Sequence, residues 1–285
     1  MRLLSVEITE PCTDPVLAPA GLSVPGQAVT RLTVTGGDIV AVATEPELGL
    51  GAALIVPTGG PVTLQYAVEE GQGAAGYPEA AFRPRVNRHT MPADALAAAS
   101  RRIADEAGGG RAGISALVAE AQGRFAYAHP ERKFNDGLDA IPYLSCGMTP
   151  GSCVDINTYL VASLRAAGYE AAYFYGYFFP EERGGRTDDG HCWVVTRHEG
   201  EVLEWDIAHH LKAGLGLAQP CLNPRPGERV ALTHSMGHRY ALPGQDVALK
   251  LLGEPVRLPA GGAPASVTLI ARLSAERTIT TLPGI

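Results

Sequence analysis

Cys153 opens a run in which Ile156, Leu160, Leu164 and Ala167 recur at i, i+4, i+8 and i+11. That spacing is one face of a helix, and Gly168 closes it at the usual C-terminal position. Gly151-Ser152-Cys153 therefore predicts a cysteine at a helix N-terminus. Such a position carries part of a positive charge and unpaired N–H groups. Both favour a thiolate, and the N–H groups could hold a developing oxyanion. A buried structural thiol is the plain alternative, since free cysteine is among the most buried residue types.

A thiolate nucleophile needs a base, and the base needs an orienting acceptor. Of the eight histidines, His191 adjoins a predicted hairpin with strands over 192–197 and 202–207. A two- or four-residue loop puts His198 opposite Glu201 and Asp206 opposite Trp193; a three-residue loop would break that register. Side chains alternate along a strand. His191, Trp193, Val195, Val202, Glu204, Asp206 and Ala208 then share one face. Cys192, Val194, Thr196, Leu203, Trp205 and Ile207 share the other, which is nearly all apolar and is expected to pack inward. Asp206 becomes a diagonal neighbour of His191, with Cα atoms about 7–8 Å apart. A carboxylate there can accept the imidazole N–H and fix its tautomer; two polar residues on a wet sheet face are the alternative. Whether the helix tip meets this face is a tertiary question.

These groups need a scaffold. The chain has 285 residues, enough for about two domains of ordinary length. It is 46% hydrophobic and 19% charged, with 34 glycines and 22 prolines, rich in turn formers but short of a low-complexity composition. Residues 1–90 read as β: 3–9, 29–35, 39–43, 54–56 and 62–68 carry β-branched residues between Gly and Pro breaks, as in a small sandwich or barrel. Helices are predicted over 93–107, 114–128 and from Cys153 to 167. Strands follow over 171–179, with a buried aromatic run, and in the hairpin; short strands recur from Val230 onward. The expected domains are 1–90, a β-sandwich-like unit, and 91–285, a catalytic unit with a β-rich C-terminal segment.

A net charge of −7 disfavours a broad nucleic-acid footprint. No apolar run approaches the roughly 20 residues that span a bilayer, and the N-terminus lacks a long apolar h-region. A cytoplasmic protein without a membrane or nucleic-acid partner is expected. The five cysteines are too few and scattered for a disulfide scaffold. There is no CxxC, HExxH, Walker loop, GxGxxG after a strand or EF-hand, so no cofactor is expected. A zinc site from Cys146, Cys153, His191 and Cys192 matches no usual spacing.

Five blocks, in order, resemble the transglutaminase-like superfamily: Gly151-Ser152-Cys153-Val154-Asp155, Arg165-Ala166-Ala167-Gly168, Gly176-Tyr177, Gly190-His191-Cys192-Trp193-Val194 and Glu204-Trp205-Asp206. The likeness covers about residues 120–210, and 234–243 (HSMGHRYALP) is weakly similar to a further segment of bacterial members. The resemblance implies an α+β fold, a papain-like or transglutaminase-like core with a cysteine-bearing helix packed on an antiparallel sheet, preceded by a β-rich domain. It implies Cys153 as nucleophile, His191 as base and Asp206 as its orienter. The substrate would be a peptide, protein or small amide, with Trp193 bordering it. Tyr143 and Asn135 precede the helix and are candidates for the second oxyanion donor. Three departures bear on substrate class: Val154 replaces a glutamine, Ile207-Ala208-His209 replaces Pro-Thr-Asn, and His238-Arg239 replaces Arg-Asp. Hydrolysis is favoured over cross-linking, since no acyl-acceptor channel or calcium site is indicated. Amide-forming acyl transfer and a non-catalytic binding module on the same fold are the alternatives.

Other residues carry weaker expectations. Cys192 is expected in the core, and Cys146 as a loop thiol or a resolving thiol for the nucleophile. His209 and His210 are expected in a loop, with a place along the cleft as the alternative. Residues 180–190 read as a polar loop or as a lid beside His191.

Overall fold

The first strand, Arg2–Ile8, alternates half-buried and buried positions, with Leu4, Val6 and Ile8 turned inward. The computed structural model describes residues 1–85, 87–221 and 223–275. The two neighbours of this first strand come from distant parts of the chain: Thr63–Glu70 on one side and Leu269–Ala275 on the other. With Gln27–Thr35 and two short flanking strands they make a six-stranded sheet. A second sheet of five strands includes Val16–Pro19, Gly51–Pro57 and Gly37–Thr44. Leu4, Val6 and Leu64 from the first sheet share one apolar cluster with Val16, Ala18 and Ile55 from the second. The two sheets thus bury one apolar layer between them.

The C-terminal strands cross the sequence boundary at residue 90. Leu269–Ala275 lies inside the first sheet, and Val256–Arg257 pairs with Val16–Pro19 in the second. Periodicity marks a strand but not its partner, so this return was invisible in the sequence.

Helices Asp94–Glu106, Gly110–Arg124 and Cys153–Ala166 pack together and against a four-stranded antiparallel sheet. The sheet order is Glu201–Trp205, His191–His198, Glu170–Pro180, Gly227–His234. This is the α+β architecture expected. The middle helix begins and ends four residues earlier than predicted: Phe125–Tyr127 is a short strand parallel to Thr149–Gly151. Phe125 is fully buried in extended conformation, so its ring, not helix propensity, sets the boundary.

The strand Glu170–Pro180 joins the two halves of the molecule. Tyr173 and Tyr175 belong to the helical core, whereas Tyr177 and Phe179 lie in the sandwich cluster. The change of cluster follows a bulge between Tyr175 and Gly176. A Cβ on Gly176 would sit 1.8 Å from the Val230 carbonyl oxygen, so only glycine admits this approach. No helix among the described residues is long and apolar enough to cross a membrane.

Leu4 and Leu273 are register partners, both buried. Replacing either with alanine is expected to destabilise the protein by about 2–5 kcal/mol. In denaturant unfolding, the double variant should depart from additivity by about 0.5 kcal/mol or more. Strict additivity would contradict the pairing of the two chain ends.

Candidate active site

The strand Thr149–Gly151 delivers the chain to the cysteine helix, with Gly151 opposite Tyr127. Ser152 is the N-cap. The Asp155 Oδ2 accepts from the Ser152 N–H at 2.9 Å and from the Ser152 hydroxyl at 2.8 Å, within a capping box. Asp155 therefore does more than complement the helix dipole: it sets the entry angle of the residue before the thiol. Cys153 is the first helical residue, and its N–H has no partner within the helix. One turn on, the Asn157 side chain donates to the Cys192 carbonyl at 2.9 Å and to the Cys192 Sγ at 3.3 Å. That contact holds the helix tip against the histidine strand.

The hairpin has the expected register, with Val194 opposite Trp205 and His198 opposite Glu201. Cys192 and Val194 face the helical core, while Trp193 and Val195 fall in a separate cluster with Phe174. The second strand stops at Trp205, short of the predicted end at 207, because Asp206 caps a short helix, Ile207–Ala213. Asp206 Oδ1 accepts from the His209 N–H at 2.9 Å, the usual work of an aspartate N-cap. His209 and His210, expected in a loop, are buried in this helix.

The other carboxylate oxygen, Oδ2, holds three donors. His191 Nε2 lies at 2.8 Å and His209 Nδ1 at 2.9 Å, and the Arg229 guanidinium also donates to it. The His191 nitrogen that faces this oxygen carries its proton, so His191 Nδ1 is left for the Cys153 side. The two imidazoles stack, with centroids 4.1 Å apart and planes within 5°. Arg229 also donates to the Asn223 Oδ1 at 2.6 Å and lies over the Trp193 and Phe178 rings.

Burial would raise the Asp206 pKa, but His191, Arg229 and His209 together hold it well below the ordinary carboxylate range. Burial, with the His191 and Arg229 charges, pushes His209 down to about 4 against the pull of Asp206, so it is neutral near pH 7. The ligating atoms of His191, Asp206 and His209 lie within 4.8 Å of one another, close enough to hold a metal ion. The guanidinium already on Oδ2 would face that ion across one oxygen, so the donor set fits hydrogen bonding rather than coordination.

Cys153 is nearly sealed, 6% exposed. Its pKa is nonetheless lowered well below the thiol range: the Cys192 thiol donates to it and His191 adds a hydrogen bond and a charge, against the cost of burial. Burial opposes charging of His191, but Asp206 and Cys153 outweigh it and raise the imidazole pKa. Cys192 moves the opposite way, pushed up by burial and by the neighbouring sulfur. The arrangement favours a Cys153 thiolate beside a His191 imidazolium, with Cys192 kept as a thiol donor.

Cys153, His191 and Asp206 thus come together. Trp193 does not join them: it is buried, stacks on Phe174 and backs Arg229. It shares the strand face of His191, but its ring packs in the cluster of Phe174 and Val195, separate from that of Cys153. The Tyr143 hydroxyl is engaged by Arg124 at 3.1 Å, and its ring packs at the edge of the helical core. Asn135 is buried, and its backbone carbonyl accepts from the Leu138 N–H. Cys146 is exposed. Residues 180–190 form a short 3-10 turn and a two-residue strand, Arg186–Thr187, that pairs with Leu269–Ala275. With His191, His209 and Lys212 they line a polar cavity of about 160 Å³.

Two residues of the site were missed as functional: Asn157 and Arg229. Only Asn157 left a signal, four residues after the cysteine on the same helix face.

The model of the transglutaminase-like superfamily matches residues 97–205, ending one residue before Asp206. No curated protein matches the chain. A candidate cysteine protease from Cytophaga hutchinsonii is similar over 96% of this chain and 97% of its own, at 13% identity and a TM-score of 0.51. That likeness is one of fold. The periplasmic domain of TgpA from Pseudomonas aeruginosa, bound to ethylmercury, aligns with 74% of this chain and 91% of its own, at 14% identity and a TM-score of 0.41.

Haloacetamide alkylation of Cys153, followed by mass spectrometry across pH, should be half-maximal well below the ordinary thiol value of about 8.5. In His191→Ala the profile should move up toward that value; identical profiles would refute the pairing. Asp206→Asn leaves Arg229 buried without its counter-charge, so unfolding free energy near neutral pH should fall by about 3–5 kcal/mol. The Asp206 pKa is depressed in the folded state. Its stabilisation is present above the unfolded value of about 3.9 and is lost as pH falls through the folded one, so the two proteins should converge in acid.

Proposed function

Starting from a chain whose residues 97–205 belong to the transglutaminase-like superfamily, we propose that it is a thiol enzyme that cleaves amide bonds through a thioester on Cys153. His191 is the base and acid, and Asp206 its orienter. The observation that carries this reading is the 2.8 Å bond from His191 Nε2 to the fully buried Asp206. It fixes the tautomer and turns Nδ1 toward the sulfur.

The thiolate attacks the substrate carbonyl carbon, forming a C–S bond while the carbonyl electron pair moves to oxygen. The unpartnered Cys153 N–H at the helix tip is placed to hold that oxyanion. Collapse breaks the C–N bond, and the leaving nitrogen takes the proton from His191 Nδ1. Water then gives a proton to His191 and its oxygen to the acyl carbon, releasing a carboxylic acid and restoring the thiolate. Hydrolysis is favoured over transfer because the cavity beside His191 is polar and small, about 160 Å³, a better fit to water than to a bulky amine.

Incubation with a panel of peptides and small amides should yield an acyl adduct on Cys153 by intact mass and release the amine. Cys153→Ala should lose both, and His191→Ala should slow acylation by about a hundredfold or more. Turnover surviving in Cys153→Ala overturns the reading. Incorporation of an added primary amine in preference to water would assign transfer.

A further inference from the structure

The hairpin His238–Leu242 with Gln245–Leu249 takes no part in the chemistry above. Its base is rigid. His238 is fully buried, with Nε2 on the His234 carbonyl at 3.0 Å and Nδ1 accepting from the Leu252 N–H at 3.1 Å. The Gly237 N–H donates to the Lys250 carbonyl at 2.8 Å and closes the strand pair. Arg239 pairs with Ala248, so Arg239 and Lys250 lie on the same face of the hairpin as diagonal neighbours.

That face and residues 84, 85 and 87–89 border a cavity of about 610 Å³, lined in part by Arg85, Arg88, His89, Arg239, Lys250 and Glu47. Glu47 is its only carboxylate, and Arg85 already binds it at 2.9 Å while also binding Glu45 at 3.1 Å. Among the described residues, Arg88, Arg239 and Lys250 make no ion pair; Arg88 donates to the Leu138 carbonyl at 3.0 Å. Arg88 and Arg239, without an ion-pair partner, and Lys250, which feels the Asp155 and Asp136 carboxylates without bonding to either, line one cavity in a chain of net charge −7. Their mutual field reaches the neighbours: His89 is pushed down to about 4, by burial and then by the Lys250 and Arg88 charges.

We propose that this cavity is a binding site for a small polyanion, a molecule carrying two or more phosphate or carboxylate groups. A single monovalent ion would leave most of the charge uncompensated. The volume lies in the ordinary range for small-molecule sites. Guanidinium forks and an ammonium match oxyanion groups through charge-assisted hydrogen bonds. The site is independent of the thiol chemistry, and its test is a binding measurement.

Calorimetric titration at constant ionic strength, with inorganic pyrophosphate in one arm and citrate in the other, should show saturable one-to-one binding of at least one. Affinity should fall about tenfold or more in Arg239→Gln and in Lys250→Gln. It should be unchanged in Arg31→Gln, an exposed arginine outside the cavity. Binding of pyrophosphate alone would assign a phosphate ligand, and of citrate alone a carboxylate. Cys153→Ala should bind like the parent, so failure here and failure of the enzyme reading are separable. No saturable binding in either arm, or an equal loss in Arg31→Gln, overturns the proposal. Unchanged unfolding midpoints for the variants exclude a folding defect as the cause.

Discussion

The Asp206 carboxylate is withdrawn from solvent entirely, and an isolated ion in such a place costs several kcal/mol. It persists because each oxygen is occupied. Oδ1 takes the backbone N–H of His209 at the start of the short helix, and Oδ2 takes His191, His209 and Arg229. Those donors come from the histidine strand, the short helix and the strand Gly227–His234. One charge therefore locks three elements into a single relative position. The same contacts set the tautomer of His191, so fold stability and site geometry rest on one group.

The β-rich part of the molecule is coupled to that arrangement in two ways. Arg229 lies on a strand whose Val230 and Leu232 belong to the sandwich cluster. The loop beside His191 is tied through Arg186–Thr187 to Leu269–Ala275, which itself pairs with the first strand of the chain. The wall of the cavity next to His191 is thus built on the sandwich, and the two chain ends meet to support it. A β unit in this position is a brace for the site rather than an appended module.

Much of the site was legible because local rules governed it. The apolar spacing after Cys153 marked a helix, and its start followed from Gly151-Ser152-Cys153. The turn at 199–200 set the hairpin register, which fixed the faces of Cys192 and Trp193. The readings that failed did so where a tertiary contact overrode local pattern. Residues 125–127 continue a helical pattern but leave the helix when Phe125 enters the core. Residues 206–210 continue a strand until Asp206 turns to cap a helix. Trp193 carried a family-like position on the His191 face, yet its ring packs into the cluster of Phe174 and backs Arg229.

From the sequence alone came the thiol at a helix tip, the histidine and the aspartate in diagonal register, and the α+β class. The thiol, histidine and aspartate placements follow from periods of 3.6 and 2 and from turn chemistry, which act over a few residues, and the fold class from the resemblance carried by the five sequence blocks. Only the tertiary structure decided that His209 and Arg229 share the carboxylate with His191, that Asn157 ties the nucleophile's helix to Cys192, and that the C-terminal strand completes the N-terminal sheet. Each of these joins residues distant in sequence or turned by a change of element. Their energies come from burial and charge compensation, which exist only once the chain has closed on itself.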